Sequence, residues 1–207
     1  MSATTELAPN ADYLDRLMRR ESFEALWPLF ARATKPAKEM TESFSALVHL
    51  RPHLPSAGPF RVLHVGDGAH ARTAALFAIK TTAHNISVDP EINEAIVGGW
   101  RDRFAIERLS WRRARVEDVA SEIAALTSMP LFVTFVHAHV DVDAVLERLP
   151  WRAAYTLACC CPGKQLTRRH TPERDALDPS VLSSDRRFQV LVRQDEGASS
   201  RAALTPR

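Results

Sequence analysis

Cysteine is scarce in this chain of 207 residues: there are three, and they stand side by side as Cys159, Cys160 and Cys161. Adjacent thiols do not staple distant parts of a chain, so a disulfide framework is excluded and a reducing compartment is expected. Long apolar runs are missing as well. No stretch reaches the roughly 18–20 apolar residues that a membrane span requires, so no membrane partner is expected. The opening segment MSATTELAPNADYLDR lacks the basic and apolar regions of a signal peptide, which makes the cytoplasm the expected location. Charge of one sign is lacking too. Lys and Arg number 27 against 25 Asp and Glu, and a net charge of +2 supplies no global field for nucleic acid, a membrane surface or an acidic partner. What remains, 45% hydrophobic and 25% charged residues, is the composition of one ordinary globular domain with a small appendage at most.

The apolar pattern changes once along the chain. Leu14, Leu17, Met18, Leu26 and Phe30 recur near helical spacing, with Pro28 expected to kink or end a helix. A further helix is expected from Pro36, with Met40, Phe44, Leu47 and Val48 on one stripe, before RPHLPSAGP breaks it. Residues 1–59 therefore read as a helical lead-in and linker. From Phe60 onward short apolar runs alternate with helical segments, which is how a parallel sheet wrapped by crossover helices reads. Strands are expected near 60–65, 84–88, 108–113, 130–136 and 153–159, and helices near 69–80, 91–103, 117–127 and 141–148. VLSSDRRFQVLVRQ reads as two strands joined by a tight turn, a C-terminal antiparallel hairpin that closes the sheet. The expected architecture is thus an α/β, Rossmann-like, mostly parallel sheet with helices on both faces, spanning 60–194 and preceded by N-terminal helices. Residues 195–207 read as a disordered tail.

The segment FRVLHVGDGAHARTAALFAIK runs from an apolar strand through Gly66 and Gly68 into an Ala-rich helix. Glycines let the chain turn sharply from strand to helix while its backbone stays open to a ligand, at which the helix N-terminus aims free N–H groups. Asp89, at the end of the second expected strand, is placed to accept the ribose hydroxyls of an adenosine-containing cofactor. Gly66-Asp67-Gly68-Ala69-His70-Ala71 also fits a dinucleotide fingerprint, so the loop alone does not choose between cofactors.

VLHVGDGAHARTAALFA followed by ISVDP resembles the first two motifs of class I methyltransferases that use S-adenosylmethionine (SAM), and the likeness extends over most of residues 60–193. The resemblance implies a SAM site built from Val65, Gly66, Asp67, Gly68 and Asp89, with Glu117 or Asp118 approaching the adenine. Arg115 stands where the family usually has an acid, and His70 where many members have a third glycine. Two other classes stay open: a catalytically silent scaffold that docks a protein partner through its N-terminal helices, and an NAD-binding oxidoreductase. Against the latter, the only tyrosines are Tyr13 and Tyr155, and the Tyr-x-x-x-Lys pair of short-chain dehydrogenases is missing.

Chemistry is expected outside the carboxyl ends of the strands. The fourth strand leads to His137, His139, Asp141 and Asp143, and the fifth to the three cysteines and Lys164. His137 or His139 can serve as a general base for methyl transfer to oxygen or nitrogen, or merely bond the backbone. Cys160 or Cys161 can act as a nucleophile toward a pyrimidine, or pack as a small hydrophobe. A zinc site from the histidines and cysteines is chemically reasonable, but neighbouring residues of an extended chain point to opposite faces and no Cys-x-x-Cys occurs, so no metal is expected. The histidines, paired cysteines and lysine resemble, more distantly, a methyltransferase-like subgroup that includes tRNA 2′-O-methyltransferases, although His137-Ala138-His139-Val140 departs from its usual His-x-Cys-Gly. Basic residues gather at Arg101, Arg103, Arg108, Arg112, Arg113 and Arg115, and again at Lys164, Arg168, Arg169, His170 and Arg174. The second group suits the phosphates of an RNA or other nucleic-acid acceptor, or is simply solvated charge.

Overall fold

Alternation along the first strand decides which layers the protein builds. In the computed structural model, which describes residues 8–20, 22–126, 128–160 and 162–193, β1 (Arg61–Val65) is buried throughout. Val62 faces one core with Phe132, Ala153 and Tyr155, while Leu63 and Val65 face a second core with Val133, Phe135 and Ala154. Successive strand residues point to opposite faces, so a strand buried at every position must be covered on both sides.

The remaining strands are β2 (His84–Val88), β3 (Leu109–Arg112), β4 (Leu131–Val136), β5 (Trp151–Leu157), β6 (Arg174–Leu177) and β7 (Arg187–Val192). They form one sheet in the order β3-β2-β1-β4-β5-β7-β6. The first five are mutually parallel, and β7 lies antiparallel between β5 and β6. The crossover helices are α4 (Arg72–Lys80), α5 (Glu94–Arg103), α6 (Val116–Ala125) and α7 (Val142–Leu146). Residues of α4 and α5 join the first core and those of α6 and α7 the second. The expected Rossmann-like sheet, helices on both faces and terminal antiparallel pair are all present.

The lead-in consists of α1 (Asp12–Met18), α2 (Phe23–Phe30), which passes through Pro28 and ends two residues later, and α3 (Pro36–Leu50). These helices spend their apolar stripes on the sheet domain: Leu17, Leu26, Leu29, Phe30, Phe44 and Leu47 belong to the same core as α4. A buried polar knot fixes them. Asp178 Oδ2 accepts hydrogen bonds from Tyr13 (2.7 Å) and Ser45 (2.6 Å) and lies 3.0 Å from His49 Nε2, while the Ser45 and Tyr155 hydroxyls are 2.7 Å apart.

The hairpin differs from expectation in its first strand. The Val181–Leu182 segment does not pair with β7; β6 does, seven residues earlier by its first residue, in the polar stretch Arg174–Leu177. Val181 is buried and Leu182 N–H is bonded to Thr41 Oγ1, so this apolar pair anchors the connecting loop on α3 instead. The tail expected at 195–207 lies outside the described residues.

Candidate functional site

β1 ends in a loop that only glycine fits at Gly66. Its φ is +69°, and a Cβ there would come 2.7 Å from the Cβ and 2.8 Å from the Cα of Ala138, just beyond β4. Gly68 also has a φ of +69°, but a Cβ there would meet open space. Between them Asp67 turns inward and accepts the N–H groups of Thr73 and Ala74, each at 2.9 Å, capping α4. Burial pushes the Asp67 carboxyl up to about 6 against the opposing effect of these amides.

Asp89, half-buried at the end of β2, accepts the Gly68 N–H through Oδ2 (3.0 Å) and the Glu91 N–H through Oδ1 (2.8 Å). A carboxylate offers about four acceptor positions, so two amides leave it capacity for ligand hydroxyls. Asp89 borders a cleft of about 530 Å³, within the size range of small-molecule sites, whose walls come from the segments following β1 to β4. Of the residues expected to bind cofactor, Val65, Gly66, Asp89 and Glu117 line this cleft, and so do His137 and His139. Asp67 and Gly68 line a smaller hollow instead, and exposed Asp118, in the first turn of α6, is not part of the lining. Arg115 is: it precedes α6 and contributes to the wall beside Glu117.

The smaller hollow, about 250 Å³, shares Gly66 and His137 with the cleft and is otherwise walled by Lys38, Glu39, Glu42 and Ser43 of α3 and by the glycine loop. Its walls are charged. Lys38 pairs with Glu42 at 2.7 Å and Arg72 with Glu39 at 2.6 Å. His137 adopts a left-handed φ of +55°, uncommon for a residue other than glycine and often found at functional positions. Its Nε2 is 3.3 Å from Glu42 Oε1, the oxygen that Lys38 engages, and makes no well-aligned hydrogen bond with a described residue. Burial lowers the His137 pKa to about 4, with Lys38 acting in the same direction, so the imidazole is neutral at physiological pH. Burial raises the Glu42 carboxyl. Sequence reasoning missed Lys38 and Glu42 because they lie in a lead-in helix far from any motif.

The other expected chemical groups separate. Asp141 caps α7 by accepting the Ala144 N–H, and buried Asp143 accepts Thr167 Oγ1 and the Arg168 N–H, so both carboxylates serve the fold. Lys164 lies exposed on the short α8 (Pro162–Gln165), away from the cleft lining. His139, Cys159 and Cys160 come together: His139 Nε2 is 3.2 Å from Cys159 Sγ and 3.6 Å from Cys160 Sγ, and the sulfurs are 3.7 Å apart. Because β5 ends at Leu157, the extended-chain argument that parts neighbouring side chains does not apply to these cysteines. Cys161 lies outside the described residues. Many of the basic residues already have partners: Arg112 pairs with Glu122, Arg169 with Glu147, Arg108 with the carbonyls of Ala78 and Thr81, and Arg174 covers the Phe188 ring.

Neither a family model nor a curated protein matches the chain. Among solved structures, MtNAS in complex with MTA and tNA aligns with a TM-score of 0.55 at 11% identity, covering 89% of this chain and 70% of that one. A point mutant of MtNAS in complex with S-adenosylmethionine aligns with a TM-score of 0.50 at 15% identity, covering 87% and 74% respectively. WbdD, crystallised with a kinase inhibitor, aligns with a TM-score of 0.48 at 15% identity over 92% of this chain, which spans only 46% of WbdD. At these identities the likeness is one of fold alone, a Rossmann-like α/β sheet.

Proposed function

We propose that the protein is a SAM-dependent methyltransferase whose cofactor occupies the 530 Å³ cleft. The observation that carries this reading is the convergence on one cleft of the glycine turn after β1, the Asp89 carboxylate after β2 and Glu117 after β3. Open α/β sheets bind ligands at such a switch point, here between β1 and β4, where the strand order reverses. Asp89 accepts the ribose hydroxyls and Glu117 approaches the adenine. SAM, when bound, supplies an electrophilic methyl group. The chain's own task is then to hold an acceptor atom in line with it and to exclude water.

Gly66 and His137, common to cleft and hollow, mark the junction where donor and acceptor meet in this reading. The charged walls of the hollow suit a polar acceptor group, and neutral His137 is able to take its proton. Arg115 in the cleft wall makes RNA the first acceptor class to screen, while Arg112, Arg169 and Arg174 are already engaged within the protein. A docking role for the N-terminal helices has less to recommend it, because their apolar faces are used internally and, among the described residues, only Met18 and Trp27 remain as large exposed hydrophobics there.

Calorimetric titration with SAM, S-adenosylhomocysteine and NAD tests the assignment. Saturable binding of the first two is expected, weakened about 10–100-fold by Asp89→Ala, the worth of a charge-assisted hydrogen bond or two. Absence of SAM binding by a folded sample would sink the enzyme reading and favour a scaffold. Preference for NAD would revive hydride transfer.

A further inference from the structure

We propose that His139, Cys159 and Cys160 form a zinc site at the rim of the cleft, with His139 Nε2 and the two sulfurs as ligands. The argument is metric. Zinc binds thiolate at about 2.3 Å and imidazole at about 2.0 Å in tetrahedral array, which requires S···S near 3.8 Å and N···S near 3.6 Å. The three donor atoms already stand 3.7 Å apart for sulfur to sulfur and 3.6 and 3.2 Å apart for nitrogen to sulfur. They converge from the ends of β4 and β5, two neighbouring parallel strands, and form the one group of metal-ligating side chains within such range among the described residues.

A second observation concerns Gln165, which is buried and holds Cys159 by two contacts and the Ala138 carbonyl by a third. Its Oε1 accepts the Cys159 N–H (2.7 Å), its Nε2 donates to Cys159 Sγ (2.9 Å), and the same nitrogen reaches Ala138 O (3.0 Å) beside His139. Outer contacts of this kind orient metal ligands. Loading is balanced as one Zn²⁺ bound, two thiol protons released to solvent and a neutral imidazole donating its lone pair. Soft sulfur and imidazole donors select zinc over magnesium or calcium. His139 and Cys160 are exposed, which leaves the fourth tetrahedral corner accessible to water or a ligand, and His139 also lines the cleft. The site does not depend on the SAM assignment.

The test uses untagged full-length protein, reduced and dialysed against micromolar zinc, with metal measured by mass spectrometry. About one zinc per chain is expected, and near none in the Cys159→Ser/Cys160→Ser double variant or in His139→Ala. Far-UV circular dichroism identifies any variant that fails to fold. Cobalt loading of the wild type keeps the proposal decidable without variants: a sulfur-to-metal charge-transfer band with tetrahedral d–d absorption is expected. A wild type that retains no more zinc than the folded variants, or a cobalt form lacking the thiolate band, would overturn the site.

Discussion

At the level of single residues, two positions carry the geometry of the cleft. Gly66 combines a positive φ with a closeness no side chain tolerates, since a Cβ would press on both the Cβ and the Cα of Ala138. Gly66→Ala is therefore expected to destabilise the protein by about 2–3 kcal/mol, through backbone strain and overpacking, and to weaken S-adenosylhomocysteine binding. Adding Ala138→Gly removes the methyl group in the way but neither the backbone behind it nor the strained φ, so the double variant should recover only part of the loss in urea titrations. His137 gives a different signature. If it accepts the acceptor's proton, His137→Ala should lower turnover by about 10²–10⁴-fold while cofactor affinity changes little. With a pKa near 4, the wild-type rate should stay flat from neutral pH down to about 5 on account of this group. A wild-type rate limb near 6.5 would argue for another base.

At the level of elements, what the sequence reveals depends on whether a segment is shaped by its own pattern or by distant partners. Strands β1 to β5 were legible within two residues, β1, β4 and β5 because their largely apolar runs fill a buried parallel sheet, and the place of Asp89 beside the cleft was legible because clefts open at the strand ends of such sheets. β6 was not. Its residues, Arg174-Asp175-Ala176-Leu177, are largely polar, as an edge strand allows, and pairing comes partly from Arg187 and Gln189 of β7 gripping Asp175. Val181 and Leu182 looked more strand-like, yet their place is set by the Asp178 knot, whose members lie up to 165 residues apart. The Cys159–Cys160 pairing was hidden for a related reason: only the actual end of β5 decides whether neighbouring side chains diverge.

The knot itself makes a prediction. Burial alone would raise the Asp178 carboxyl, but hydrogen bonds from His49, Ser45 and Tyr13 outweigh it and hold the pKa at about 2, below its ordinary 3.8. Asp178→Ala strands these buried polar partners and should cost about 2–4 kcal/mol in chemical unfolding. Since the folded value is depressed, the stabilising contribution is fully present above pH 3.8 and is lost as pH falls through about 2. The variant should thus show a shallower loss of stability than wild type across that acid window, and equal slopes would mean that Asp178 is not ionised in the knot.

For the whole molecule, three buried groups in the sheet and at the site shift their pKa values on folding and so tie stability to pH. His64 lies buried between the strands, 2.9 Å from Thr134 Oγ1 and 3.0 Å from Asn85 Oδ1, and burial lowers its pKa to about 4. His137, at the mouth of the cleft, is lowered to about 4 by the same cause. Both histidines bind protons in the unfolded chain near 6.5 and in the folded protein only near 4, so acid favours unfolding across this window. Asp67 works in the opposite sense. Its pKa rises from 3.8 to about 6 on folding, so its contribution is largest at low pH and is lost as pH rises through 6. Around pH 5 two groups favour the unfolded state and one the folded state, leaving a net uptake on unfolding of at most about one proton, worth about 1.4 kcal/mol per pH unit. Stability measured by urea unfolding should therefore decline from pH 6.5 toward 4 with a slope no steeper than this from these three groups. His64→Gln, which removes one histidine while keeping a hydrogen-bonding side chain, should flatten the slope toward zero near pH 5, and an undiminished slope would show that His64 is not held neutral by the sheet that encloses it.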